Sequence, residues 1–136
     1  MRIMFDTNIL LDLLMDRAPF SDAAAELFSK VENGIITGYV CSTSITTIHY
    51  LVSKAIGSTR AKEEVKKLLL LFEVAPVNRI VLESALTTHF ADFEDAVVYE
   101  AACHVGAEAI VTRNQKDFRK SGLSVYSSTE LAGILS

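Results

Sequence analysis

The chain has 136 residues, of which 50% are hydrophobic and 22% are charged, and its formal net charge is −4. This length and hydrophobic content suit one domain with a buried core and argue against a disordered chain. The negative charge argues against binding of nucleic acid through a bulk positive field. It is compatible with an enzyme on nucleic acid whose acids are neutralised by cations.

The sequence shows neither a membrane segment nor a cysteine motif. The longest apolar run, residues 68–72, is far shorter than the roughly 20 residues of a membrane helix. Asp6 and Asp12 interrupt the core of any signal peptide. Cys41 and Cys103 lack a C-x-x-C spacing and are interpreted as buried free thiols. We therefore expect a soluble, cytoplasmic protein without membrane association, folded as one domain over residues 1–136.

Strand and helix patterns alternate along the chain. Short apolar runs rich in β-branched residues predict strands, and apolar residues three and four apart predict helices. The predicted strands are residues 2–5, 35–41, 72–77, 109–112 and 123–126. The predicted helices are residues 9–14, 22–32, 45–55, 58–71, 79–88, 93–105 and a last one after Ser127. This alternation predicts βαβ units, and hence a three-layer α/β/α sandwich with a mostly parallel central sheet.

Polar residues directly before the predicted helices are candidate caps, because their side chains can accept free backbone N–H groups. In chain order the candidates are Thr7 or Asn8, residues 42–44, Asn78, Asp92, and Ser127, which with Glu130 has the spacing of a capping box.

Asp6 ends the first predicted strand. This strand is apolar almost throughout and is expected to be central, where a terminal acid is costly unless it is paired or binds a metal. In open α/β sheets, ligands bind at the carboxyl edge of the strands. An aspartate after a strand can also simply cap the next helix, but we favour a functional role for Asp6.

Asp92 and Asp95 lie three residues apart at the start of one predicted helix, so their side chains are neighbours. Acids are common there because they cap N–H groups and suit the helix dipole, which would suffice to explain Asp92. Asp95 precedes the apolar residues 96–98 and so lies near the buried face, which favours a functional role. Glu94 is expected to point into solvent.

Asn114 and Asp117 follow the strand at residues 109–112, in a loop that Phe118 would hold inward. If these groups converge on Asp6, the carboxylates raise each other's pKa and need a counter-charge. Oxygen-rich acid clusters favour a hard cation such as Mg²⁺ or Mn²⁺. Such a metal can activate water and stabilise the leaving oxygen, so the chemistry indicates phosphodiester cleavage.

Three motifs in this order resemble those of the PIN-domain family: residues 5–8 (Phe-Asp-Thr-Asn), 92–96 (Asp-Phe-Glu-Asp-Ala) and 112–118 (Thr-Arg-Asn-Gln-Lys-Asp-Phe). The resemblance covers essentially the whole chain. It implies a metal-dependent endoribonuclease with an RNA substrate. Many such relatives are toxins of toxin–antitoxin pairs and form dimers, so the resemblance also implies an antitoxin partner and a homodimer.

The resemblance implies a role for each acid at a matching position. Asp6 and Asp95 would be the principal ligands of Mg²⁺ or Mn²⁺. Asp117 or Asn114, together with Asp92, would complete the site through oxygen atoms or bound water.

Around these ligands the resemblance implies two supporting sets. Arg113 and Lys116 would hold phosphate or offset the nearby acids. Thr7, Asn8 and Thr112 would orient the ligands through hydrogen bonds.

One departure from the family pattern concerns His49. The family usually has a glutamate here, within a Thr-x-x-Glu pattern, whereas this chain has no acid between residues 33 and 60. His49 could bind Mn²⁺, contact phosphate when protonated, or lie buried with a hydrogen bond. Asn114 also stands where many relatives have an acid, so both changes predict weaker metal binding.

Two alternatives to an active ribonuclease remain at this stage. His49 and Asn114 suggest a PIN-like module that has lost catalysis and binds RNA or protein. A phosphotransferase with Asp6 as its nucleophile is disfavoured, because Asn8 replaces the second aspartate of the Asp-x-Asp motif.

Overall fold

The computed structural model describes residues 1–136 and contains one sheet of five parallel strands. The strands are β1 (Arg2–Phe5), β2 (Thr37–Cys41), β3 (Glu73–Ala75), β4 (Ala109–Val111) and β5 (Ser124–Tyr126). The helices are α1 (Thr7–Leu14), α2 (Ser21–Glu32), α3 (Ser42–Ile56), α4 (Ser58–Leu71), α5 (Arg79–Thr87), α6 (Phe93–His104) and α7 (Ser128–Leu135). A 3₁₀ turn covers Gln115–Phe118. None of the helices is long and apolar enough to cross a membrane.

The strand order β3-β2-β1-β4-β5 puts β1 at the centre of the sheet. From β1 the chain winds to β2 and β3 on one side, and then crosses to β4 and β5 on the other. Phe5 is in register with Val40 of β2 and with Val111 of β4. Asp6 and Thr112, which follow β1 and β4, therefore leave the sheet side by side. This is where the winding direction changes and where open α/β sheets bind ligands.

Helices cover both faces of the sheet, as the three-layer prediction requires. Alternate residues of a strand face opposite sides. Ile3 and Phe5 pack in one core with residues of α1, α2, α3, α4 and α7. Met4 and Ile110 pack in a second core with residues of α5 and α6. The predicted α/β/α sandwich is confirmed, and every strand pair in its sheet is parallel.

Several local predictions need correction. The cap of α1 is Asp6, whose carboxylate accepts the N–H of Thr7, so Thr7 and Asn8 lie inside the helix. α3 begins at Ser42 without a side-chain cap, so residues 42–44 form its first turn. The strands after β1 are shorter than predicted. Cys103 is exposed rather than buried, although both cysteines are free. The caps predicted at Asn78, Asp92 and Ser127 are confirmed.

Three phenylalanines pack edge to face in the larger core. The ring centroids of Phe5 and Phe72 are 5.0 Å apart, and those of Phe28 and Phe72 are 5.2 Å apart. Gly38 on β2 faces this cluster, and a Cβ atom there would lie 2.7 Å from two ring atoms of Phe72 and 3.2 Å from Val31. The ring therefore occupies the space of the missing side chain.

We expect Gly38→Ala to lower the free energy of unfolding by about 1–3 kcal/mol, because the packed rings would have to shift. Urea denaturation followed by circular dichroism measures this. Gly133→Ala on α7 is the matched control, since nothing lies within 4 Å of its added Cβ. That change should be neutral or stabilise by up to about 1 kcal/mol. Equal destabilisation by both variants would contradict the packing argument.

Candidate functional site

Asp6 is held at the sheet edge by hydrogen bonds to both carboxylate oxygens. It is only 6% exposed. Oδ1 accepts the N–H of Thr7 at 2.9 Å, and Oδ2 accepts the hydroxyl of Thr112 at 2.8 Å. Burial raises the pKa of Asp6 above its ordinary value, while the bonds from Thr112 and Thr7 oppose that rise. Asp6 thus caps α1, and the same carboxylate is buried and has a raised pKa.

A short polar network joins the ends of β1 and β4. The fully buried Thr112 donates its hydroxyl to Asp6 and accepts the N–H of Asn114 at 3.0 Å. The amide nitrogen of Asn8 lies 3.4 Å both from Asp6 Oδ2 and from Thr112 Oγ1. Its amide oxygen accepts the N–H of Arg113 at 3.3 Å. The network thus surrounds the carboxylate of Asp6 with the donors of Thr112 and Asn8.

Thr7 links this network to α3, because its hydroxyl donates to Ser44 Oγ at 2.8 Å. Thr7, Asn8 and Thr112 each contact Asp6 through a backbone or side-chain donor, and the orienting role that the resemblance implies for them stays a prediction. Ser44 joins them and was not among the candidates.

Asp92 and Asp95 have different surroundings in the first turn of α6. Asp92 is exposed, and its carboxylate accepts the N–H of Asp95 at 3.0 Å as the helix cap. Asp95 is half-buried and lines the same cavity as Asp6, whereas Asp92 does not line it. Burial, and next the charges of Asp6, Asp92 and Asp117, raise the pKa of Asp95 to about 7. The fold thus brings Asp95 to Asp6 and leaves Asp92 at the margin.

Glu94 is exposed, as expected, but it also lines the cavity that Asp6 and Asp95 share. Its charge contributes to the raised pKa of both Asp6 and Asp95. Asp117 in the 3₁₀ turn is exposed and does not line the cavity, but its charge also raises the pKa of Asp6 and of Asp95. Asn114 does line the cavity. Side chains in the first turn of a helix lie near a site at that end of the helix. The face of α6 on which Glu94 lies therefore does not keep it out of the cavity.

His49 does not line the cavity, whereas Thr46 and Thr47 do. Ser44 contacts Thr7, so its face of α3 points towards the site. Thr47, three residues on, shares that face. His49 is half-buried and lies outside the cavity wall, so of its three alternatives neither a metal contact nor a phosphate contact is seen in this cavity, and the wall carries the hydroxyls of Thr46 and Thr47 instead.

One cavity of about 590 Å³ collects these groups between α1, α3, α6 and the loop after β4. Carboxylates line one part of its wall and hydroxyls another. The carboxylates are those of Asp6, Glu94 and Asp95, and the hydroxyls are those of Thr7, Thr43, Ser44, Thr46 and Thr47.

Two arginines of the cavity wall converge on Asp12, a carboxylate of α1 that is fully buried. Nε of Arg17 lies 3.2 Å from Asp12 Oδ1, and Nε of Arg113 lies 3.0 Å from Asp12 Oδ2. Arg113 thus offsets Asp12 rather than one of the acids that the sequence analysis singled out. Lys116 is exposed and does not line the cavity. Asp12 follows the buried Ile9 by three residues within the apolar stretch 9–14 of α1, and that spacing is the signal that sequence reasoning missed.

The donors fit a hard cation in kind. Asp6 and Asp95 supply carboxylate oxygens, Asn114 supplies an amide, and a cation would offset the burial and the repulsion that together raise the pKa values. No group of three or more His, Cys, Asp or Glu side chains is arranged to hold a metal ion. Mg²⁺ binds through one or two carboxylates and keeps several waters, so two aspartates suffice for it.

The fold is a parallel α/β sandwich, and two aspartates converge at the switch point of its sheet. These two features place the chain among α/β proteins with an acidic site lined by oxygen atoms. The family model of the PIN domain matches residues 2–116. The chain belongs to the PIN-domain family, as its three motifs predicted.

Similar proteins span nearly the whole chain. Ribonuclease VapC1 of Aquifex aeolicus (strain VF5) is 25% identical over 137 residues, covering 95% of this chain and 92% of that protein. VapBC2 from Rickettsia felis, bound to a DNA fragment from its promoter, matches with a TM-score of 0.74 and 18% identity over 93% of this chain and 98% of that chain. A toxin–antitoxin complex from Klebsiella pneumoniae matches with a TM-score of 0.69 and 22% identity over 93% and 97%. At these identities the two structures establish the fold alone.

We expect Asp95→Asn to stabilise the metal-free protein at alkaline pH. Folding raises the pKa of Asp95 from 3.8 to about 7, so the folded state binds the proton more tightly than the unfolded state. The stabilising contribution of Asp95 to the free energy of unfolding is therefore present below about pH 4 and is lost as the pH rises through about 7. At pH 8 in chelator the variant should gain roughly 1–2 kcal/mol after allowance for solvent screening, and less at pH 5.

Urea denaturation at both pH values measures this difference. Glu63→Gln on the exposed side of α4 is the control and should show no pH-dependent change relative to the parent. If Asp95→Asn matched the parent at every pH, the rise in the pKa of Asp95 through its burial and the neighbouring acids would be refuted.

Proposed function

We propose that this protein is a metal-dependent endoribonuclease that acts in the cytoplasm. The observation that carries the proposal is the convergence of Asp6 and Asp95, each with a raised pKa, on one cavity at the switch point of the sheet. RNA as the substrate is supported by the name of the Aquifex aeolicus relative, a ribonuclease that aligns over almost the full length of this chain.

Asp6 and Asp95 would hold Mg²⁺ or Mn²⁺, with Asn114 and Asp117 contributing through bound water. When bound, the metal supplies a Lewis acid for the phosphate and lowers the pKa of a water. The chain itself keeps Asp6 fixed through Thr112 Oγ1 and the N–H of Thr7, so that carboxylate needs little reorganisation to act as a ligand. Asp92 caps α6 and keeps Asp95 in place through its N–H.

An antitoxin partner and a homodimer belong to the same proposal. The Klebsiella pneumoniae protein with this fold is part of a toxin–antitoxin complex. An uninhibited ribonuclease in the cytoplasm would cleave the RNA of its own cell. This activity therefore needs an inhibitory partner. Sedimentation of the purified chain, alone and after co-expression with a small protein encoded beside it, measures both associations.

Asp6→Asn and Asp95→Asn should each lower the rate of cleavage of single-stranded RNA at least about 100-fold, because each removes a charged metal ligand. The measurement is cleavage of a labelled oligonucleotide in Mg²⁺, in Mn²⁺ and in chelator. Asp22→Asn, an exposed acid in the first turn of α2, is the control and should retain full activity. Cleavage that persists in chelator, or in both site variants, would rule out the proposed mechanism.

Thr47→Glu should tighten Mn²⁺ binding by about 3- to 10-fold, because it adds a carboxylate to the wall that faces Asp6 and Asp95. His49→Glu is the matched variant, since it adds a carboxylate two residues away at a position that does not line the cavity. It should leave the affinity almost unchanged. Calorimetric titration of Mn²⁺ compares the two, and a larger effect of His49→Glu would contradict the assignment of the facing position.

The second candidate function is a module that binds RNA or protein without cleaving it. It is favoured by the sparse acid set, with a threonine at position 47, Asn114 in the late motif and no ready-made group of three acidic or histidine ligands. No Mn²⁺ binding by calorimetry, together with inactivity on every nucleic acid, would select it. A phosphotransferase is disfavoured, because that chemistry needs a second acid beside Asp6 and the amide of Asn8 lies there instead.

A further inference from the structure

The cavity has a second charged centre that the acids and their metal do not use. It consists of Asp12 and the two arginines that converge on it, and we call Arg17 and Arg113 the arginine pair. Asp12 is fully buried, while the side chains of Arg17 and Arg113 are 37% and 31% exposed. Both arginines line the cavity that Asp6 and Asp95 also line.

The charges of this centre do not balance. Two guanidinium groups carry +2 and Asp12 carries −1, so one positive charge remains at a half-buried place. The Nε···O distances of 3.2 and 3.0 Å are those of ion pairs, so each oxygen of Asp12 faces one guanidinium group. A phosphodiester group, which carries −1, would neutralise the centre.

The arginine pair keeps donors for such a ligand. Both ion pairs run through Nε, which leaves the terminal nitrogens available apart from one long contact of 3.5 Å between Arg17 Nη2 and the carbonyl oxygen of Asn8. Guanidinium groups bind phosphate oxygens through two parallel N–H bonds, which a lysine cannot do. The ring of Phe20 lies 4.2 Å from Cζ of Arg113 and fixes the position of that guanidinium.

The pair is also rigidly connected to the acids. Arg113 directly follows Thr112, which donates to Asp6, and the N–H of Arg113 donates to Asn8. Asp12 lies on α1, the helix that Asp6 caps. A phosphate on the arginine pair would therefore be held in register with the metal-binding carboxylates.

We propose that Arg17 and Arg113, bridged by the buried Asp12, form a subsite that binds a phosphate of the RNA backbone beside the bond that is cleaved. This inference rests on the proposed ribonuclease function for the identity of its ligand. Asp12 is a positioning residue: it touches no substrate and holds both guanidinium groups at the cavity wall. A purely structural role for the ion pairs would stabilise the fold without affecting the affinity for substrate.

The first experiment does not depend on nuclease activity. Inorganic phosphate is titrated into the metal-free protein in chelator, and the Nε–H signals of the arginines are followed by nuclear magnetic resonance. We expect the signals of Arg17 and Arg113 to shift with one common dissociation constant. The signal of Arg60, exposed on α4 and remote from the cavity wall, should not shift.

The second experiment separates binding from chemistry. Arg17→Gln should raise KM for a single-stranded RNA oligonucleotide roughly tenfold and change kcat less than about threefold, the loss of one charge-assisted contact. Arg113→Lys keeps the charge that neutralises Asp12 and so protects folding, but it loses the planar fork and should raise KM similarly. Arg60→Gln removes the same charge elsewhere and should leave both constants unchanged.

The outcomes distinguish this inference from the proposed function. If the parent protein cleaves RNA while phosphate shifts neither arginine and KM stays unchanged in both variants, the subsite is refuted and the ribonuclease stands. If the parent cleaves no RNA with any metal, the proposed function fails, and the phosphate titration still decides. Shifts of both arginine signals would support an anion site there, and their absence would overturn it.

Discussion

The hydrogen bond from Thr112 to Asp6 is the constraint on which the site depends. It joins the residues that follow β1 and β4 at the switch point of the sheet, and both partners are buried. In this setting an unbonded carboxylate would be costly, because a buried charge needs hydrogen bonds or a counter-ion. The bond therefore locks the ends of the two central strands together and fixes the carboxylate that the other acids surround.

Electrostatic repulsion shapes the rest of the acidic cluster. Asp6, Glu94, Asp95 and Asp117 lie close enough for their charges to raise pKa values within the cluster. The two arginines that line the same cavity are paired with Asp12. The cluster is thus left without a protein counter-charge, as a cation-binding site requires, while the arginines keep donors for an anion. In the proposed function, separation of the two charge centres within one cavity would allow it to receive both a metal ion and a phosphate.

Much of the fold and the central part of the site could be predicted from the order of residues. Apolar periodicity located all five strands and seven helices, since it reflects which residues must be buried. Asp6 was prominent because it follows an apolar strand, and Asp95 because it precedes an apolar helical run. The roles of Glu94, Thr47 and Asp12 were missed. Each depends on the direction of a helix face relative to elements distant in sequence, which a local pattern does not contain.

The sequence by itself determined the layer architecture, the helix caps at Asn78, Asp92 and Ser127, and the acids that gather at the sheet edge, because these follow from local spacing and burial. Only the tertiary structure decided which side chains meet. It placed Thr47 rather than His49 on the cavity wall, made Asp6 the cap of α1, and brought Arg17 and Arg113 to Asp12. The reason is geometric: a helical residue turns by about 100° per position, so one or two positions separate a residue in the cavity from one outside it.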